Sequence, residues 1–476
     1  MRRTSWGWLA VLALSACEGG STDVDAGATV RDGGSGHEID AGPHDAGMPP
    51  PDDAGSIPSD AGASDGGADA GPPTLSVDDR LAELEAASAD AAALDAVLHD
   101  VAWHEGWPMT DGTRWLFATR WDDAPPAVGL VSDVNDWTSA TATRSASGTH
   151  FWVVIDEASF VTPAAGAKYK WLGGTDVYRA PPEARAYGFD AFGEHGYVAP
   201  PTAERWRERF DAFRSAHLDA PRAFRALLPA GFHRGDAARV LLMHDGQNVF
   251  HPDAFYGGWQ VDEAVSAPGY EDVVVLAVDN APDRFDAYTQ VPDRISAGGG
   301  RVGGRADDYE RLLLEEALPF FREQYGLTAA RDDLVIAGSS LGGLVTLHLA
   351  LRHGDAFRCG IAMSSTLGWG AFDAALDGSD ALVRQWSTHG TTALYLDSGG
   401  SGTCYDLDGD GVDEDSDDSD NYCTTLQLRD RLVALGYAHE TDLFHWHEAG
   451  ASHNEAAWAA RMPRALEACV GAGWTR

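Results

Sequence analysis

Positive charge is what this sequence has least of: 34 lysines and arginines stand against 74 aspartates and glutamates, a formal net charge of −40. That deficit excludes partners held through their own negative charge, so neither nucleic acid nor an anionic lipid surface is an expected ligand. A run of about 20 apolar residues, the length a membrane-spanning helix needs, is also missing. The apolar stretch from Trp6 to Leu14 is too short to span. Cysteine is sparse, with five in 476 residues. The length itself allows two or three domains with real cores.

The first residues, Met1-Arg2-Arg3, the apolar stretch, and then Leu14-Ser15-Ala16-Cys17, resemble a bacterial lipoprotein signal over residues 1–17. The resemblance implies that Cys17 is lipidated and becomes the first residue of the mature chain. Glu18 rather than Asp follows it, which implies an outer-membrane lipoprotein of the cell envelope, at the cell surface or in the periplasm. Membrane contact would come through that anchor only, and a monomer is expected. Residues 18–75 repeat Asp-Ala-Gly among Pro and Ser, as at Asp40, Asp45, Asp53, Asp60 and Asp69. So little apolar surface with so much like charge makes no core, and predicts a disordered tether reaching at least ~40 Å. Setting Cys17 aside leaves Cys359, Cys404, Cys423 and Cys469, an even number for an oxidising compartment. Three pairings are possible. Cys404 with Cys423, which bracket one acidic loop, is favoured, leaving Cys359 with Cys469.

Residues 76–200 predict a helix followed by a small β-sandwich. Ser76-Val77-Asp78-Asp79 has the spacing of a capping box, and Leu81, Leu84, Leu94, Val97, Leu98 and Val101 follow at roughly helical intervals. Short aromatic-rich segments then read as strands: Arg114–Thr119, Ala127–Ser132, Phe151–Ile155 and Tyr169–Leu172. The segment Gly129 to Trp137, with Tyr169-Lys170-Trp171, resembles the Ig-like module of glycogen-branching enzymes and of some esterases. Trp121, Trp137 and Trp171 are candidates for stacking on sugar rings, against the alternative that they pack the core. Residues 201–476 alternate apolar strands with amphipathic helices. The strands are 240–243, 273–278, 334–337, 359–363, 393–396 and 443–446, and the pattern is that of a parallel sheet covered on both faces.

Within that sheet, Leu334-Val-Ile-Ala-Gly-Ser-Ser-Leu-Gly-Gly343 reads as strand, sharp turn and helix start, with Ser340 at the tip. Gly338 and Gly342 allow the tight turn, which exposes the hydroxyl and aims the next helix N-terminus at it. A second match to the same pattern around Ser64 lies in the tether and has no such context. A serine nucleophile needs a base, and in an α/β-hydrolase the base follows the serine. His453, in Gly450-Ala-Ser-His-Asn-Glu455, sits just past the last strand on a loop opening a helix. His445 and His447 share one strand face, but no third metal ligand accompanies them.

His244-Asp-Gly-Gln-Asn-Val-Phe250, Gly257-Gly-Trp259, Val261-Asp-Glu263, Asp279-Asn280, the Gly338–Gly343 turn and His453-Asn-Glu455 together resemble the enterochelin esterase and feruloyl-type esterase family, grouped with Esterase D. The resemblance implies an α/β-hydrolase catalytic domain over 201–476 and a serine carboxylic-ester hydrolase. It also implies oxyanion donors in the backbone N–H groups of Leu341 and Gln247. The family carries its acid after the strand matching Ala393–Leu396, which makes Asp397 first choice, with Asp406 and Asp420 competing.

The insertion that follows, Asp406-Leu-Asp408-Gly-Asp410-Gly-Val412, has the spacing of an EF-hand loop. A structural calcium ion held by Asp406, Asp408, Asp410, Val412 and Asp417 is one reading, and a solvated acidic loop is the other. No organic cofactor is required. The expected substrate is a small-molecule or polysaccharide ester, such as a feruloyl or acetyl ester. A siderophore trilactone is the alternative, with Arg284, Arg301 and Arg305 in suitable loops, and a non-catalytic surface glycan-binding protein is the rival of a different class.

Overall fold

The computed structural model describes residues 75–471 apart from 253, 255–256, 296–298 and 416–419. Cys17, the tether before residue 75 and Asp417 therefore lie outside the described residues. Two helices open the described chain, α1 (Val77–Ala86) and α2 (Ala91–His104), where periodicity predicts one. The capping box is formed, with Ser76 and Asp79 each accepting from the other's backbone N–H. The break has a local cause: Asp90 takes extended backbone and its carboxylate accepts from the N–H groups of Ala92 and Ala93, so a second helix starts there.

The longer strands that follow are β1 (Arg114–Arg120), β2 (Val128–Ser132), β3 (His150–Asp156) and β4 (Lys168–Gly173). β1 pairs with β3 and β2 with β4, both antiparallel. Phe117 and Phe151 from one pair meet Leu130, Tyr169 and Trp171 from the other in a single buried cluster, so two sheets pack face to face. Trp121 and Trp171 are core residues of this cluster, whereas Trp137 is 41% exposed. Of the three tryptophans, Trp137 alone keeps a face that a sugar could cover.

The sheet does not stop at residue 200. Four more strands, β5 (Ala186–Asp190), β6 (Gly193–Tyr197), β7 (Trp206–Phe213) and β8 (Arg222–Leu228), carry it on in the spatial order β4-β6-β5-β7-β8 into the C-terminal half, and fourteen strands share one sheet. Residues on both sides of the expected boundary fall in one compact unit. The sequence hides these linking strands behind charge. Arg207 and Glu208 of β7 are buried, yet Arg207 pairs with Asp262 at 2.7 Å and Glu208 accepts from the Tyr325 hydroxyl at 3.0 Å. Paired charges of this kind keep a strand buried whose polarity argues for a loop.

The C-terminal half is built on β9 (Arg239–His244), β10 (Val273–Val278), β11 (Leu334–Ser339), β12 (Cys359–Met363), β13 (Ala393–Ser398) and β14 (Leu443–His447). They are parallel, in the spatial order β14-β13-β12-β11-β9-β10. Alternate residues feed opposite faces. Leu242, Leu276 and Ile336 join a cluster with Leu344 and Leu347 of α3 (Leu341–Arg352), while Leu241, Val275 and Val335 join one with Met462 and Leu466. Each such side chain contributes about 1.5–3 kcal/mol on burial. α4 (Tyr422–Ala434) and α5 (Glu455–Cys469) complete the cover. The favoured cysteine pairing is the one found: Cys404–Cys423 closes the insertion after β13 onto α4, and Cys359–Cys469 ties β12 to α5. Among the described residues no helix is long and apolar enough to cross a membrane.

Candidate active site

Parallel strands present their carboxyl ends on one edge, and the predicted site residues follow those ends. Ser340 sits between β11 and α3 with φ +55° and ψ −122°, a strained conformation that an L-residue holds only where its surroundings enforce it. The enforcement is visible. Ser340 N–H donates to Met363 O at 3.0 Å, and Ser340 O accepts from Thr366 N–H at 3.1 Å, which pins the turn to the loop after β12. A Cβ on Gly338 would stand 2.4 Å from the Gly342 backbone, so that position admits glycine alone. Ser340 Oγ lies 3.4 Å from Thr366 Oγ1.

The loop after β9 packs against this turn, since a Cβ on Gly342 would meet Asp245 Oδ2 at 3.1 Å. Asp245 is buried with left-handed backbone and holds Arg284 through two bonds of 2.8 and 2.9 Å and Asn280 through one of 2.6 Å. Burial pushes its carboxyl up, but the guanidinium and these bonds leave it below the usual range. His244 donates or accepts at Tyr309 Oη, 2.9 Å away, and burial depresses its imidazole to about 4, so it is neutral. Gln247 follows Gly246, where a Cβ would strike Asp279 at 2.5 Å, and its side-chain oxygen accepts from Asn280 N–H at 3.1 Å. Gln247 lies on the short turn that follows β9, and Leu341 is the first residue of α3.

His453 stands on the loop after β14, with its side chain 19% exposed. Its Nδ1 is 2.5 Å from Asp420 Oδ1. A carboxylate there fixes the proton on Nδ1 and leaves Nε2 as the accepting atom. Asp420 is buried, and its Oδ2 accepts from Ser364 Oγ at 2.7 Å and from the Gly399 N–H. Burial pushes Asp420 up, but the hydrogen bond and charge of His453 prevail with help from Ser364 and Gly399, and its carboxyl lies below the ordinary value. The short segment Met363–Thr366 thus touches Ser340 on one side and, through Ser364, the Asp420 carboxylate that meets His453 on the other.

Asp397, the first choice from sequence, is not the carboxylate on His453. Its Oδ2 accepts from Arg461 Nε at 3.1 Å and Tyr395 Oη at 3.2 Å. Asp406 is distant from this role as well, exposed and turned into its own loop, where it accepts from the N–H groups of Gly409 and Gly411. Sequence reading missed Arg461 and Ser364. The signal for Arg461 was a charge among Trp458, Met462, Ala465 and Leu466 on the buried face of α5.

In the acidic loop, Asp406, Asp408 and Asp410 bring carboxylate oxygens within 4.8 Å of one another. Val412 donates its N–H to Asp410 Oδ1 at 2.8 Å. Partial burial raises the Asp410 carboxyl, and its acidic neighbours add to the effect. His447 Nε2 is 2.9 Å from Gly400 O, and burial lowers His445 to about 4.

Residues 215–469 match the family described as Putative esterase. No curated protein sequence matches. Among solved structures, a ferulic acid esterase is 16% identical, with 56% of this chain and 99% of that one covered at a TM-score of 0.40. The enterobactin esterase FES from Shigella flexneri, with 2,3-dihydroxy-N-benzoyl-serine present, is 13% identical over 79% of this chain and 97% of that one, at 0.40. The siderophore hydrolase EstA from Aspergillus nidulans is 17% identical over 53% and 92%, at 0.38. Scores of this size carry no argument about substrate.

Proposed function

Because the chain belongs to the Putative esterase family, we propose that it is a secreted, lipid-anchored serine ester hydrolase in which Ser340 attacks, His453 moves the proton and Asp420 orients the imidazole. The observation that carries this reading is the 2.5 Å contact of His453 with Asp420, joined to the strained Ser340 turn through Met363–Thr366. Ser340 Oγ adds to the ester carbonyl as Nε2 takes its proton, and the N–H groups of Leu341 and Gln247 receive the developing oxyanion. The protonated imidazole then donates to the departing alcohol. Water, deprotonated by the same Nε2, releases the acid and restores the serine. Protein groups supply every step.

A neutral ester, feruloyl or acetyl on a saccharide, suits the site better than an anionic trilactone. The arginines considered for an anion are engaged: Arg284 with Asp245, Arg301 with Asp373, and Arg305 with Asp308 and Asp219. Two disulfides accord with export to an oxidising compartment. Hydrolysis of nitrophenyl acetate, feruloyl and acetylated sugar esters and a catecholate trilactone is measured for wild type and Ser340→Ala. Loss of all hydrolysis in the variant supports the nucleophile, and undiminished turnover would remove it. Faster cleavage of the trilactone than of sugar esters would reverse the substrate order.

In the same reading the Asp406–Asp410 loop holds a structural calcium ion, since clustered hard oxygens with mutual repulsion suit a dication. Titration of calcium into chelator-treated protein should release or absorb heat in a saturable way, and a flat titration would leave a solvated loop.

A further inference from the structure

Behind the carboxylate of His453 lies a second one that the proposed chemistry does not use. Asp397, near the end of β13, is fully buried, and its Oδ1 has no hydrogen-bond partner among the described residues while Oδ2 takes Arg461 Nε and Tyr395 Oη. Arg461 is buried as well and faces both ways. Its Nη2 donates to Ser364 Oγ at 2.8 Å and stands 3.7 Å from Asp420 Oδ2. One guanidinium therefore lies between two buried carboxylates, and the hydroxyl of Ser364, braced also by the Trp458 indole N–H at 3.1 Å, joins them.

We propose that Asp397 and Arg461 are positioning residues for ester hydrolysis: Asp397 holds the guanidinium from behind, so that the charge of Asp420 stays available to the imidazolium of His453. The proposal rests on the Ser340–His453–Asp420 reading above. Its logic is a charge count. With Arg461 alone, Asp420 would face a neighbouring cation that competes with the imidazolium. With Asp397 alone, two buried carboxylates would repel, and one would take up a proton. With both, the pair is near neutral and Asp420 keeps one full charge for its partner. The ionisable groups facing this cluster are Tyr395 and Asp397 from β13, Asp420 from the insertion, and Arg461, Arg464, Glu455 and His453 from α5 and the loop before it. Burial drives the Asp397 carboxyl up to about 6 against the pull of Arg461, with the charge of Asp420 adding to the rise. The two acids are split, one kept ionised and the other left to titrate close to neutrality.

The test is the pH profile of kcat/KM on a nitrophenyl ester for the intact protein and its variants. Removing a negative charge disfavours the imidazolium, so Asp397→Asn should move the acid limb down by about one pH unit. Removing the positive charge does the reverse, so Arg461→Gln should move it up by a similar amount, and the double variant should return it towards wild type. KM should change less than kcat. Limbs that stay fixed, or move the same way in both variants, while circular dichroism shows native folds, would overturn the proposal. Should Arg461→Gln fail to fold, Arg461→Lys, which keeps the charge, should hold the limb near wild type, and Asp397→Asn decides alone. Wild-type activity in Asp420→Asn would instead overturn the triad on which this rests.

Discussion

The end of β13 and the disulfide-closed insertion that follows it each deliver a buried aspartate to the same few ångströms, and the two meet different fates. Asp397 rides on a strand, fully enclosed, with an arginine for a partner and a carboxyl at about 6. Asp420 rides on a loop three residues before Cys423, accepts from a histidine, a serine and a backbone N–H, and stays below the ordinary range. A rigid strand end is the better place to fix a residue, yet it is the loop aspartate that meets His453. What decides it is the number and kind of donors each carboxylate meets, because hydrogen bonds to the charged form can outweigh burial.

The sharpest way to break this comparison is a pair of isosteric changes. Asp420→Asn should lower kcat by about 10³–10⁴-fold, since the amide cannot hold the imidazole in the productive tautomer. Asp397→Asn should lower it by about tenfold or less. Equal losses would mean that the two aspartates act as one unit. A second contrast uses the disulfides that serve each region. Removing Cys359–Cys469 by serine substitution should cost more stability, about 4–5 kcal/mol, than removing Cys404–Cys423, about 3 kcal/mol, because it opens the longer loop. The order in kcat should be the opposite, since Asp420 lies inside the shorter loop; melting curves and turnover below the transition report both. The smallest effect is a pH dependence. A folded-state value raised above the unfolded one means that the native state binds the proton more tightly. The contribution of Asp397 is thus fully present below pH about 4 and lost as pH rises through about 6. Relative to Asp397→Asn, wild type should lose roughly 2–3 kcal/mol of unfolding free energy between those limits and pH about 7, as denaturant titrations would show.

How much of this was legible in the sequence depends on the reach of each cause. The Ser340 turn could be read because its determinants are neighbours: Gly338 and Gly342 touch each other, and the apolar strand and helix flank them directly. The six parallel strands could be read for the same reason. The single expected helix became two because one side chain, Asp90, offered its carboxylate to two backbone donors. Which of the competing aspartates meets His453 was not legible, because the partners that separate them are remote: Arg461, which holds Asp397, lies sixty-four positions beyond it, and His453 lies thirty-three beyond Asp420. Strands β5 to β8 went unread because Arg207, Glu208 and Arg209 look solvated until their partners Asp262, Tyr325 and Glu194 are known.

The shared sheet has a practical consequence. A chain cut between β6 and β7 would leave raw backbone amides and carbonyls along two freshly opened borders, an invitation to stick to other molecules. Neither half is a detachable cassette. Recombination that grafts a new front end onto this enzyme would have to supply a matching strand at the Tyr187–Arg207 seam.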